Sequence, residues 1–336
     1  MSNDNVQEKI TIADVAEALG ISKTTVSRAI SGKGRIGEET RKRVLDFIEE
    51  NNYRPSPTAK GLAESKTYNI CWAIPRDSNV TALPFFQRCM IGISDVAVSK
   101  DYDILVSMIY EDSNAQLKRI VNNRKVDGVV LGRTLVKDEN VRFLKESRIP
   151  FVVIGSTSEK NVIQIDNDHI KACRELTSIL IMKGTKRFAL IGGSLEHVVN
   201  KTRLRGFEEG LKDQGIELDN ENVFMNCEKE SDVERAVEQA LRNNVDCILC
   251  MDDLICYEAI GKLHKENVAI PDKIKIASFY NSQMLENVQP SITSLQYDPR
   301  ELGAVAAKTL FDYIEGNDVE EKVLLSYEVL LKNSTQ

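Results

Sequence analysis

The chain has 336 residues, 42% hydrophobic and 28% charged, with a formal net charge of −7, which excludes a low-complexity or fibrous protein and leaves room for more than one cored domain. No apolar run approaches the ~18 residues of a membrane span, and MSNDNVQEKI lacks the apolar core of a secretory signal, so a cytoplasmic location with no membrane partner is expected. Seven cysteines, an odd number set mostly among apolar neighbours, fit reduced core thiols rather than a disulfide framework.

Charge is unevenly placed. Residues 1–66 carry 11 Lys and Arg against 10 Asp and Glu, leaving 33 against 41 in the remainder. ISKTTVSRAISGKGRIGEETRKRV, residues 21–44, gathers seven basic residues against two acidic ones. An acidic body is repelled by a polyanion, so any approach to one falls to this patch.

TIADVAEALG predicts a short amphipathic helix with Ile12, Val15, Ala16 and Leu19 on one face, Thr11 at its N-cap and Asp14 three residues on. Gly20 ends it, and Ser22 caps a second helix containing Val26 and Ile30. A third helix, 38–51, is expected to turn Val44, Leu45 and Ile48 inward, before Pro55 and Pro57 interrupt the unit. Two helices on a tight turn make a helix-turn-helix, whose second helix enters the DNA major groove. Lys23, Thr24 and Arg28 fall within about 140° of one another on that helix. Arg and Lys can bond guanine N7 and O6, and Thr can touch a thymine methyl. Ser22, Thr25 and Ser27 suit phosphate oxygens, and Lys33 and Arg35 can follow the backbone. The alternative is a merely solvated basic helix face. PTAKGLAES, residues 57–65, can start a helix at Pro57, but it is short and carries Gly61, so it needs an outside partner to stay ordered.

From Tyr68 onward, apolar strands are predicted at 69–75, 103–109, 127–132, 150–155, 187–193, 246–251 and 275–279. Helical patterns lie between them, around 86–100, 114–124, 168–183, 202–214, 232–243 and 254–267. This alternation implies parallel sheets covered by helices on both faces, in two similar α/β lobes with a ligand cleft between them. Cys247 and Cys250 form a C-x-x-C, but on a strand they point to opposite faces and cannot share a metal.

No catalytic constellation is expected. Asp252 and Asp253 adjoin at a strand end and point apart, LIGGS lacks a nucleotide fingerprint, and His169, His197 and His264 lack metal spacing and suit surface or capping places. No metal and no cofactor are called for. A non-catalytic cytosolic sugar-binding protein is the rival from another class.

The stretch TIADVAEALGISKTTVSRAISGKGRIGEETRKRVLDFIEENNYRPSPTAKGLA resembles the LacI/GalR (lactose-repressor) family of bacterial transcription regulators. PFFQRCMIGI, RKVDGVVLG, IPFVVIG, KRFALIGG, TRLRGFEEGL, VAIPDKIKIASF and PSITSLQYDPRELGAVAAKTL follow in that family's order. The combination DDL and SFYNS looks most like the family's maltose-operon repressor branch. The resemblance implies an all-α headpiece at 1–55, a hinge helix at 56–67 and a two-lobed periplasmic-binding-protein-like body at 68–336. The amino-terminal lobe would span about 68–165 plus 297–325, and the carboxy-terminal lobe about 166–296 plus 326–336. A homodimer on a near-palindromic double-stranded operator, hence nucleoid-associated and repressing, is also implied. Thr11 and Tyr53 would join the DNA contacts, Leu62 would wedge the minor groove, and Ala59 would face its dimer mate. The alternative for Leu62 is an ordinary linker residue packing on the body.

For the cleft, the resemblance implies a small sugar-type effector, maltose or a maltodextrin, or else a purine or phosphoprotein corepressor. Arg203 would grip it, unless it is a surface arginine; Asp166 would accept hydroxyls or cap the next helix; Phe85 and Phe86 would stack on the sugar or pack in the core. Asp252, Asp253, Tyr280 and Asn281 stand at positions that depart from the common family pattern, Gly155 replaces a frequent sugar-binding Asp, and Tyr297 would complete the lining.

Overall fold

Thr11 and Asp14 close a reciprocal cap at the head of α1 (Ile12–Leu19): Thr11 N–H donates to Asp14 Oδ2 at 2.7 Å while Thr11 Oγ1 accepts from Asp14 N. Gly20 takes the left-handed conformation (φ 65°) that stops α1, and Ser22 restarts the chain as N-cap of α2 (Lys23–Ser31). The helical period of α3 (Glu38–Glu50) brings Val44, Phe47 and Ile48 onto Val15, Ala16, Val26 and Ala29. Leu45, expected inside, is 43% exposed; it stands one residue from Val44, about 100° around the helix, and Phe47 packs in its stead.

The structure is a computed structural model that describes residues 10–32, 34–51, 53, 61, 64–76, 84–110 and 113–336. The chain divides between Thr67 and Tyr68 into the helical unit above and a larger body. The hinge residues Ala59 and Leu62, and Lys33 of the headpiece, lie outside the described residues.

Two six-stranded sheets build the body. The first joins β1 (Asn69–Pro75), β2 (Asp103–Ile109), β3 (Gly128–Leu131), β4 (Phe151–Ile154), β5 (Ile163–Asn167) and β11 (Lys322–Leu325) in the order β11-β5-β4-β3-β1-β2, every pair parallel. The second joins β6 (Phe188–Ile191), β7 (Val223–Phe224), β8 (Cys247–Cys250), β9 (Lys275–Ser278), β10 (Thr293–Gln296) and β12 (Glu328–Leu330) in the order β12-β10-β9-β8-β6-β7, with only β10 and β12 antiparallel. Alternation along the strands fills a core on each sheet face. Ile70, Trp72 and Ile74 enter one cluster and Cys71 and Ala73 another. Cys247 and Cys250 likewise sit in separate clusters across β8.

The chain passes between sheets three times: after β5, after β10 and after β11. Asp166, expected to open the second lobe, instead sits in β5 and pairs with Leu324 in the first sheet. The cap of the following helix, α7 (His169–Met182), is Asp168, which accepts from Lys171 N at 3.2 Å. The sequence pattern also passes over α6 (Glu139–Ser147), β5, β7, β10 and β11, all short or weakly apolar, the four-residue helix Gln283–Glu286, and the long helix Pro299–Ile314.

Covering helices are numbered in chain order: α4 (Pro84–Ser99), α5 (Ala115–Asn122), α8 (Val198–Asp213), α9 (Glu230–Arg242), α10 (Asp253–Lys265), α11 (Gln283–Glu286) and α12 (Pro299–Ile314). Each lobe has one helix pair that meets backbone to backbone over glycine. In the first, a Cβ on Gly92 of α4 would strike the Arg300 carbonyl of α12, and one on Gly303 would strike the Cys89 carbonyl. In the second, Gly206 and Gly210 of α8 lie against the Ile170 and Arg174 carbonyls of α7. Carbonyls inside helices cannot rotate away, so an added methyl must push the axes apart. Gly92→Ala or Gly303→Ala should destabilise by roughly 1–3 kcal/mol, seen as a melting temperature lower by about 2–10 °C, whereas Gly261→Ala, inside α10 with nothing within 4 Å of its Cβ, should raise it by about 1–4 °C.

Candidate functional site

Packing of the headpiece decides which side of α2 faces water. Val26 and Ala29 are buried, leaving Ser22, Lys23, Thr24, Ser27 and Arg28 exposed, Thr25 half-buried and Arg35 exposed beyond the helix. Ser22 Oγ accepts from Thr25 N at 3.1 Å and bonds Thr25 Oγ1 at 2.8 Å, so these hydroxyls fix the helix start and keep spare lone pairs outward. Thr11 is exposed, with its hydroxyl held by Asp14 at 2.8 Å. Tyr53, expected among the DNA contacts, belongs to the headpiece core at 7% exposure: its N–H donates to the Ile48 carbonyl, folding the chain back over α3. The result is an exposed basic face of short polar and cationic side chains on a capped helix.

In the body, strand ends make the second site. A cavity of about 780 Å³ opens between the sheets, lined by residues just past the carboxyl ends of strands: Arg76 after β1, Arg133 and Thr134 after β3, Asp166 and Asn167 ending β5, Glu228 after β7, Asp252 after β8 and Tyr280 after β9. This is where open α/β sheets hold ligands. Phe85, Phe86, Arg203 and Asp253 reach it from helices. Two backbone hydrogen bonds join the lobes across it, Val136 N–H to the Glu196 carbonyl (2.9 Å) and Val198 N–H to the Thr134 carbonyl (3.2 Å).

Arg203 is 7% exposed; its Nη1 donates to the Met251 carbonyl at 2.6 Å, its Nε has no protein partner, and the guanidinium lies 5.8 Å from the Tyr280 ring centre. A buried fork with a spare donor at a cavity wall is built to bond something within it. Asp166 accepts from Ser156 Oγ and from Asn167 N, both at 2.8 Å, and burial pushes its carboxyl up to about 6. Asp252 caps α10 by accepting from Ile255 N at 2.9 Å; burial, and after it the Asp253 charge, raise it to about 6. Asp253 is wholly buried, and burial raises it too.

Two expected residues do not line the cavity. Asn281 turns away and donates from Nδ2 to Gln296 Oε1 at 2.8 Å. Tyr297 stands behind Tyr280, its ring nearly parallel (13°, centres 6.2 Å apart) and its hydroxyl 3.1 Å from His169 Nδ1. His169 is not at the surface: it is buried, lines the cavity and lies 3.5 Å from Asp166 Oδ1, and burial with the Arg203 charge holds its pKa well below the usual histidine range. His197 also lines the cavity, at the N-cap position of α8, and His264 is exposed near the end of α10. Sequence reasoning missed Arg76, Arg133, Thr134 and Glu228, for which position just past a strand was the available signal, and Glu258 on α10, for which there was none.

A helix-turn-helix unit and a two-lobed α/β body with a polar cleft, carried on one chain, define a DNA-binding transcription regulator. Residues 11–56 match the model described as bacterial regulatory proteins, lacI family, and residues 177–335 that of a periplasmic binding protein-like domain. The chain is 30% identical to catabolite control protein A of Staphylococcus aureus strain Mu50 over 97% of this chain and 99% of that protein. A solved complex of the transcriptional regulator CelR with cellobiose shares 25% identity over 97% of this chain and 99% of its own (TM-score 0.74). The lac repressor dimer bound to operator and an anti-inducer shares the fold (TM-score 0.81, 22% identity, 98% and 99% coverage). The chain belongs to the lacI family of bacterial regulatory proteins. Among the described residues no helix is long and apolar enough to cross a membrane.

Between the ordinary carboxylate range and about pH 6, the folded chain keeps protons on Asp166 and Asp252 that an unfolded chain has released. These groups therefore favour the fold at low pH, and that advantage is lost as pH rises through about 6. Asp252→Asn keeps a capping oxygen but removes the ionisation. Its melting temperature relative to the parent should rise between about pH 4.5 and 7; a pH-independent difference in calorimetric scans would contradict the buried titration.

Proposed function

We propose that the protein is a cytoplasmic homodimeric repressor of carbohydrate-utilisation genes, nucleoid-bound through a near-palindromic double-stranded operator and controlled by a sugar-sized effector in the cleft. The observation that carries the effector half is the unused Arg203 donor beside Tyr280 in a 780 Å³ cavity, a size suited to a small organic ligand. The kinship to a catabolite control protein and to a regulator solved with cellobiose supports a carbohydrate.

In this reading Lys23, Thr24 and Arg28 read base edges, while Ser22, Thr25, Ser27, Lys33 and Arg35 hold phosphates, with Thr11 fixing the helix that abuts them. Leu62 wedges the minor groove from a hinge that pairs through Ala59. Asp166, Arg203, Asp252 and Asp253 bond effector hydroxyls, with Phe85, Phe86 and Tyr280 against its apolar faces and Asn281 and Tyr297 bracing the wall behind. The effector need only prefer one lobe arrangement to shift operator occupancy; a difference of about 3 kcal/mol changes an equilibrium more than 100-fold. Binding and release are the whole of the cycle, with no bond made or broken.

Gel shifts of the full chain on DNA flanking its own gene, with and without maltose, maltodextrins and cellobiose, test both halves. Arg28→Ala should cost about 1–3 kcal/mol, a 5- to 150-fold loss on operator but not on random DNA, and Leu62→Ala should reduce operator bending. Arg203→Ala should abolish the response to whichever sugar acts while leaving operator binding in place. Operator affinity unmoved by every sugar would defeat the effector half alone.

A further inference from the structure

The charged groups of the cleft are shared unevenly between the lobes. Arg76 and Arg133 come with Asp166 from the first sheet, while the second lobe sets Glu228, Asp252, Asp253 and Glu258, an acidic wall, against Arg203 alone among the arginines and lysines that line it. None of these four carboxylates is in an ion pair among the described residues, although lysines and arginines elsewhere on the same helices are, for example Lys262 with Glu238 and Glu266. Arg203 spends its Nη1 on the Met251 carbonyl; its charge eases the ionisation of Asp252 and Asp253, but it forms no close ion pair with either.

Asp253 is the second observation. It is wholly buried at the cavity wall; Oδ1 accepts from Leu254 N at 3.0 Å, the Ser282 hydroxyl beside the carboxylate favours its charged form, and Oδ2 has no hydrogen bond of normal length. An unpartnered carboxylate oxygen at a cavity surface is costly unless a donor completes it, and a cationic donor completes it best. The same imbalance raises the carboxyl of Glu258 to about 7, through burial first and then the charges of Glu230, Asp252 and Glu234. Rings supply the remaining chemistry: Phe85 and Tyr280 meet edge to face at 6.2 Å beside the acidic wall, where a sugar ring or an ammonium can stack.

We infer that the effector is an amine-bearing carbohydrate whose ammonium group docks on the acidic wall of Glu228, Asp252, Asp253 and Glu258. The neutral part of the sugar then meets Tyr280, Arg203 and the first-lobe loops. This rests on the proposed reading of the cleft as a sugar site and narrows it.

The test is calorimetric titration of the full chain with a matched set: cellobiose, the β-1,4-linked glucosamine dimer, and its di-N-acetylated form, identical in linkage and differing only at the amine. The glucosamine dimer should bind at least 10-fold more tightly than the other two, and that margin should shrink as salt is raised on the unmodified chain. Glu228→Gln and Glu258→Gln, singly and together, should erase the margin while leaving the affinity for cellobiose, and the folded spectrum, unchanged. Cellobiose binding as tightly as the diamine, or a margin that survives both glutamines, overturns this inference and leaves the sugar-site reading standing. Failure of all three to bind overturns this inference alone if maltose or a maltodextrin still binds, and overturns the sugar-site reading with it if neither does.

Discussion

Everything chemical in the body depends on one topological constraint: the chain crosses three times between two parallel sheets whose carboxyl ends face a common cleft. Parallel strands present their loops at the same edge, so residues scattered from Arg76 to Tyr280 arrive at one surface without being near in sequence. The backbone bonds from Val136 and Val198 across the mouth show that the two sides can also meet at the front.

That geometry carries an electrostatic cost. Asp166, Asp252 and Asp253 are withdrawn from water, and only part of the penalty is returned by helix capping, by Ser156 and by the nearby Arg203 charge. Such groups raise carboxyl pKa values and leave polar atoms unsatisfied, which a protein selected for stability alone would avoid. The apolar clusters on both faces of each sheet are what tolerate it. Strain of this kind gathered at a cavity wall suits a binding site, since a ligand supplying the missing partners recovers the cost on binding.

The headpiece follows a different economy. Its core is small, resting on Val15, Ala16, Val26, Ala29, Val44 and Tyr53, so the caps from Thr11 and Ser22 and the left-handed Gly20 bear a large share of its order. The same caps decide which residues of α2 are presented, because they set where the helix starts and hence its rotation. Lys23, Thr24 and Arg28 are outward for the reason that Val26 and Ala29 are inward.

The amino-acid sequence by itself determined what local periods encode. The caps, α2's exposed face, seven of the strands and the opposed directions of Cys247 and Cys250 follow from 3.6 and 2.0 residues per repeat, and all stand in the structure where the spacing puts them. Phe85, Phe86, Asp166, Arg203, Asp252, Asp253 and Tyr280 were legible as cleft residues only because the family resemblance located the cleft. The tertiary structure decided the rest: that Asp166 lies in the first sheet, that His169 and Tyr297 meet across 128 positions of chain, that Asn281 turns to Gln296, and that Tyr53 folds into a core. Those outcomes depend on which strand pairs with which and how far the chain turns back, and such long-range choices leave no repeat in the neighbouring residues from which they could be read.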